Sequence, residues 1–217
     1  MKKNGRYDIS GLAEAQFEPG SRGRVLKNLL GITRKREMDE VEAKEHIRAM
    51  EELAAIYDKN HRFTARDICM AHKIWLGGVY AWAGRYRQVN ISKGGFLFAA
   101  ASQVPQLMVA FEKGPLQEYT PCRFSSKEAV IKAVAIVHAE LVLIHPFREG
   151  NGRLARLVSV LMALQAGLPP LDFKGIKGEK RREYFGAVQA GLDRDYAHMG
   201  KIFTAVVDRT LRVSGKA

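Results

Sequence analysis

Residues 145–156 read HPFREGNGRLAR, placing a histidine, a carboxylate, a Gly-Asn-Gly and two arginines within twelve positions. Histidine ionises near neutral pH and so suits general-base work. Gly150-Asn151-Gly152 stands where helical spacing resumes. The free N–H groups of a helix N-terminus, with the positive end of its dipole, attract an anion, and glycine lets a phosphate approach the backbone. Arg153 and Arg156 are three apart, so they project from neighbouring positions of one helix face. Guanidinium is the side chain best shaped for phosphate oxygens. Glu149 is electrostatically out of place beside an anion unless a cation comes with it. Mg²⁺ held by one carboxylate, phosphates and water resolves that conflict. The chemistry that uses every feature is a nucleoside triphosphate held in the loop while His145 takes a proton from a hydroxyl attacking phosphorus.

Each feature alone is ordinary. A histidine at a helix end is usually a cap, Gly-Asn-Gly is a common turn, and arginines at i, i+3 are a common solvated face. Their coincidence at one junction carries the reading. The chain has no GxxxxGK[ST] loop and no HRD or DFG, so neither a P-loop nor a protein-kinase site is present.

The elements around this loop read as helices. From Arg36 to about Lys59, Met38, Val41, Ile47, Met50, Leu53, Ala54 and Tyr57 fall on one predicted face. Thr64-Ala-Arg-Asp67 resembles a capping box opening a helix through Ile68, Trp75 and Val79. GRYRQVNISKGGFLF (84–98) is rich in Gly and β-formers and predicts a short extended segment or hairpin. Helical spacing returns near 103–113. Ser125-Ser-Lys-Glu128 suggests a second capping box. It opens a strongly apolar, central helix through Ile131, Val134, Val137, Leu141 and Ile144, which must stop at His145 because Pro146 follows. The next helix carries Leu154, Leu157, Val160, Leu161 and Leu164 and closes at Gly167 and Pro169-Pro170. Two more are expected at about 178–191 and 195–212. The expected class is all-α with one small extended element.

Composition narrows the function classes. In 217 residues, 47% are apolar and the net charge is +12. Residues 1–36 hold nine basic residues, among them Lys2, Lys3 and Arg6, against Asp8, Glu14 and Glu18, which concentrates half of the surplus there. The apolar knot VLKNLLGI in this stretch should pack on the core. A basic end can meet nucleic acid, an acidic partner or only solvent. No helix-turn-helix, RNP motif or zinc finger is present, and the aromatics do not interleave with the basic residues, so a nucleic-acid partner is not expected. No long uncharged apolar run suggests a membrane span. The start lacks the apolar stretch of a secretory signal. Cys69 and Cys122 read as reduced, partly buried thiols of a cytoplasmic protein.

The loop also resembles the signature of the Fic family, H-x-F-x-[D/E]-G-N-G-R-x-x-R, and HPFREGNGRLAR matches every specified position. The order of helix, WAGRYR, extended segment, apolar helix, motif and helix is similar to Fic domains from about 38 to 205. The resemblance implies one Fic domain over 1–217, with a basic extension at 1–36 and a small β-hairpin flap on a helical fold. It implies transfer of AMP from ATP to a hydroxyl side chain of a target protein, with Mg²⁺. By motif position, His145 is the base, Phe147 anchors the loop, and Glu149 holds Mg²⁺. Gly150, Asn151, Gly152 and Arg153 bind phosphates, and Arg156 grips the γ-phosphate. The flap is the 87–98 stretch. Its Ile91, Ser92, Lys93 and Gly94 face nucleotide and target, and Tyr184 is placed on the adenine side or in the core.

Alternatives within the resemblance are Doc-like kinase chemistry, which the intact Gly152 and Arg153 disfavour, and transfer of UMP or phosphocholine. Removal of AMP is a further one, and a non-catalytic nucleotide- or nucleic-acid-binding module is the rival from outside. Many Fic proteins carry a self-inhibitory [S/T]-x-x-x-E-[G/N] helix. Here Ser10…Glu14-Ala15 and Thr33…Glu37-Met38 lack its last residue. The chain thus resembles Fic toxins restrained by a separate small antitoxin, or a translocated effector. The implied partner is a protein with an accessible Tyr, Ser or Thr hydroxyl, in some such toxins a bacterial type II topoisomerase.

Overall fold

The computed structural model describes residues 11–176 and 178–215. Lys2, Lys3, Arg6, Asp8 and Ser10 lie outside the described residues. The long elements are α1 (Lys35–Ile56), α2 (Ala65–Leu76), β1 (Ser92–Lys93), β2 (Phe96–Leu97) and α3 (Val104–Phe111). After a π turn at Glu112–Leu116 come α4 (Gln117–Tyr119), α5 (Lys127–Ile144), α6 (Asn151–Gln165), α7 (Glu179–Ala190) and α8 (Ala197–Val213). The fold is helical with one two-stranded sheet. One contiguous core runs from Val25 to Val207.

The centre is α5 packed on α6, with α7 and α8 on α5 and the α1–α2 pair against α6. Apolar residues lie nearly all round α5, and from Val130 to Ile144 almost every position is buried. A helix of that composition is stable only when enclosed. Its N-cap is Ser126, which accepts from the Ala129 N–H at 3.1 Å. The expected reciprocal box of Ser125 and Glu128 is therefore not formed: the helix starts one residue later and is capped on one side only. At α2 the capping box is present, with Thr64 and Asp67 bonded in both directions.

Helix α1 corrects the reading of its face. Met38, Glu42, Ala49 and Leu53 are buried, whereas Ile47 and Ala54 are exposed. A helical wheel places apolar residues inward by default; here the buried stripe passes through a glutamate because a cation waits on the other side. The VLKNLLGI knot splits in the same way. Val25, Leu26 and Ile32 are buried, but Leu29 and Leu30 stand exposed at the tip of a turn.

In the hairpin Ser92 pairs with Leu97 and Lys93 with Phe96. Gly94 and Gly95 both have positive φ, 57° and 82°. That is the two-residue turn whose twist suits a tight hairpin, and glycine takes it without strain. Cys69 and Cys122 are free thiols. Among the described residues no helix is long and apolar enough to cross a membrane.

Candidate active site

His145 ends α5 in the left-handed region, φ 51° and ψ 58°. Pro146 blocks continuation of the helix, and this turn swings the imidazole out of the helix line. Its Nδ1 lies 3.0 Å from the Val142 carbonyl. A carbonyl only accepts, so Nδ1 carries the proton and Nε2 keeps a lone pair. The ring stacks on Phe98 of the flap, with centroids 3.6 Å apart. Burial lowers its pKa to about 4. The Val142 bond and Glu149 oppose that shift, and the charges of Arg87 and Lys93 add to it. The imidazole is neutral at pH 7 and able to accept a proton.

The turn after it is built on two clamps. Phe147 is fully buried and stacks face to face on His72, centroids 3.9 Å apart. The Asn151 side chain holds the Phe147 residue from both sides, accepting its N–H at 2.9 Å and donating to its carbonyl at 2.7 Å. Held in this way, Asn151 turns its backbone N–H to the space before α6. The first intrahelical bond of α6 is from Leu154 N–H to the Gly150 carbonyl, 2.9 Å. The N–H groups of Asn151, Gly152 and Arg153 therefore open toward the space before the helix.

Gly150 sits at φ 84°. A Cβ added there would lie 2.8 Å from the Trp75 ring. Gly150→Ala is expected to destabilise the fold by about 2–4 kcal/mol, from left-handed strain and a clash with a buried ring. Urea unfolding checks the value, and the loss should be smaller in a Trp75→Leu background.

The two arginines do not share surroundings. Arg153 forms an ion pair with the buried Glu42 at 2.6 Å, stands 3.4 Å from Glu149, and lies over the Trp75 ring. Arg156 points elsewhere, over Phe173 and Tyr184, and has no carboxylate partner among the described residues. A face shared over one anion is thus corrected: Glu42 draws Arg153 aside and Arg156 remains available. Of the near-miss glutamates, Glu14 bonds the Gln88 N–H and Glu37 is exposed.

Glu149 is exposed, and its carboxylate accepts the Gly150 N–H at 2.9 Å. Among the described residues no three His, Cys, Asp or Glu side chains cluster as a metal cage. A lone carboxylate at a phosphate-binding helix start is the donor set of a Mg²⁺ ion that takes its other ligands from phosphates and water, so the residues fit that ion.

Arg87 joins the flap to His145. It is 1% exposed. Its Nε donates to the His145 carbonyl at 2.7 Å, Nη1 to Val89 at 2.9 Å, and Nη2 to Ala99 at 2.6 Å and Ile144 at 3.4 Å. One guanidinium grips both roots of the hairpin and the negative end of α5. From the flap tip, the Lys93 ammonium lies 5.7 Å from the Phe185 ring centroid on α7. Ile91 is half-buried, while Ser92, Lys93 and Gly94 are exposed.

Tyr184 is buried, with its hydroxyl 2.8 Å from His138 Nε2. The Ser159 hydroxyl donates to the Ala155 carbonyl and accepts from His138 Nδ1, so Nε2 accepts from tyrosine. Of the two placements left open for Tyr184, the structure has it in the core, its ring a wall under Arg156. Neighbouring Phe185 is the aromatic facing the flap. Glu42, Trp75, Arg87, Phe98, His138 and Phe185 were not singled out for the site in sequence. Arg87 stood in the WAGRYR run, but no local pattern turns a guanidinium inward.

Burial lowers the pKa of His72 to about 4 and of His138 to about 3, as it does for His145, from 6.5. The unfolded chain takes up these protons below pH 6.5 while the folded chain does not. Stability held above pH 6.5 is therefore lost as pH falls toward 4. The melting temperature should drop by about 10 °C between pH 7.5 and pH 4.5, with a shallower slope in His138→Gln.

Comparison with known proteins agrees with this geometry. The sequence model of the Fic/DOC family matches residues 62–163. Protein adenylyltransferase Fic of Aedes aegypti is 29% identical over 163 residues, 73% of this chain and 30% of that protein. Its namesake in Culex quinquefasciatus is 28% identical over 159 residues, again 73% and 30%. The chain spans less than a third of the length of these relatives. Among solved structures, the N-terminal Fic domain of a Bep effector from Bartonella sp. AR 15-3 superposes with a TM-score of 0.73 at 20% identity, covering 93% of this chain and 95% of that one. The BepC protein of Bartonella tribocorum, solved with AMPPNP, gives 0.70 at 19%, covering 90% and 97%. The fold is shared with both. The complete signature at 145–156 falls inside the segment that matches the Fic/DOC family model, and in sequence and in fold the chain is similar to that family.

Proposed function

We propose that this chain is a Mg²⁺-dependent protein adenylyltransferase, transferring AMP from ATP to a hydroxyl of a target protein. The observation that carries the reading is His145. Its Nε2 is unprotonated, neutral at working pH, and set beside an anion-binding helix start. Nε2 takes the proton of the target hydroxyl, whose oxygen bonds to the α-phosphorus. The bond to the β-phosphate oxygen breaks and diphosphate leaves. The N–H groups of Asn151, Gly152 and Arg153 receive phosphate oxygens, and Arg156 takes the terminal phosphate. Glu149 would hold Mg²⁺, which neutralises phosphate charge when bound. The hairpin edge at Ile91–Gly94 takes an extended target segment as an added strand.

The names of the insect relatives support this activity. The motif carry-over supports AMP over phosphate transfer. A toxin-like use, restrained by a separate antitoxin, is the finer reading. Its support is Arg156, which no carboxylate engages among the described residues. Two radiolabelled ATPs test the activity. Protein label from the α position alone supports AMP transfer, and label from the γ position alone replaces it with a kinase.

A further inference from the structure

Glu42 lies on α1, outside the residues that match the family model, yet its side chain is buried and reaches the start of α6. Its carboxylate pairs with Arg153 Nη2 at 2.6 Å and accepts the Tyr80 hydroxyl at 2.6 Å. Its backbone carbonyl accepts the Trp75 indole N–H at 2.9 Å. The Trp75 ring carries the Arg153 guanidinium, 4.7 Å from its centroid. On the other side, the same Nη2 stands 3.4 Å from Glu149 Oε1. Arg153 is thus shared between two carboxylates, and the buried one is closer. Parting a buried ion pair leaves a charge in apolar surroundings, so Glu42 and not Glu149 sets where Arg153 rests.

We infer that Glu42 is a positioning residue that holds Arg153 back from Glu149, keeping the Glu149 carboxylate available to a divalent cation that arrives with nucleotide. This rests on the proposed reading, in which nucleotide and cation share the start of α6. With Glu42 in place, the Arg153 charge is cancelled at source, and net attraction for phosphate falls to the helix N–H groups and Arg156. Without the Glu42 charge, two effects of opposite sign follow. Arg153 turns to Glu149, competes with the cation for it and repels that cation. The same released charge attracts phosphate when no cation is present.

Calorimetric titration of the full chain with AMPPNP, in EDTA and in Mg²⁺, tests this. The proteins are wild type, Glu42→Gln and the Glu42→Gln/Arg153→Gln double variant, with thermal melts alongside. Glutamine keeps the shape and the Tyr80 bond. Glu42→Gln should bind AMPPNP about fivefold tighter in EDTA and lose a similar factor of the gain from Mg²⁺. The double variant, with neither charge, should regain the wild-type response to Mg²⁺. A merely structural Glu42 would weaken binding equally in both buffers as the melting temperature falls. That outcome, or an unchanged Mg²⁺ response, overturns the inference. Wild type that binds AMPPNP but ignores Mg²⁺ overturns it too, together with the cation part of the reading. Wild type that fails to bind AMPPNP at all removes the reading itself and this inference with it.

Discussion

His145→Ala should abolish protein labelling from α-labelled ATP, by about 10²–10⁴-fold, while ATP affinity changes by less than about twofold. The split follows from position. The N–H groups that would hold phosphates belong to α6, whereas the one fixed bond of the imidazole is to its own helix, at Val142. Removing it takes away the acceptor for the hydroxyl proton and little of the nucleotide's binding surface. A purely nucleotide-binding module would be indifferent to the substitution in every assay. His145→Gln is the sharper control, since glutamine can hydrogen-bond a hydroxyl but cannot take its proton. Loss of ATP binding together with labelling would contradict the assignment. The fold should persist, because the Phe98 ring is the only aromatic partner of His145 among the described residues.

Arg87→Lys should lower the labelling rate by about 10²-fold and leave the chain folded. The guanidinium spans carbonyls of Val89, Ala99, Ile144 and His145 at once. Lysine keeps the charge but is a point donor and cannot reach across that fork. At least two buried carbonyls then lose their donor, each costing about 1–3 kcal/mol. The two hairpin roots lose their common tie, and Phe98 loses the register that stacks it on His145. Misplacement of a target by about 1 Å is enough for a loss of this size. Hydrogen exchange checks the cause. Amides in 88–99 should exchange faster in the variant, while those of α5 and α6 stay protected. Slow flap exchange with a lost rate would mean that Arg87 acts on His145 alone.

The motif at 145–156 was legible because its chemistry is local. A helix stop at Pro146, glycines at a helix start and a histidine beside them are all written within twelve residues, and backbone geometry follows from adjacent residue types. The long helices were legible for the same reason, since burial of an apolar stripe repeats with the helical period. What sequence missed depends on contacts between distant segments. Glu42 looked like a solvated residue because its partner is more than a hundred positions away. Ile47 and Ala54 looked inward because apolar periodicity cannot say that a buried glutamate paired with a distant arginine sets which face of α1 turns inward. Arg87 is one basic residue among 35 lysines and arginines, and only the meeting of the hairpin roots with the end of α5 gives it four acceptors.

The sequence by itself therefore determined the helical class, the place of the loop and the histidine that it offers. Tertiary structure alone decided that Asn151 is spent on Phe147, that Tyr184 is a wall bonded to His138, and that Arg153 and Arg156 part company. The physical reason is that charge pairing and hydrogen bonding are settled by which groups lie within about 3 Å, and neighbours at that range come from packing, not from order along the chain.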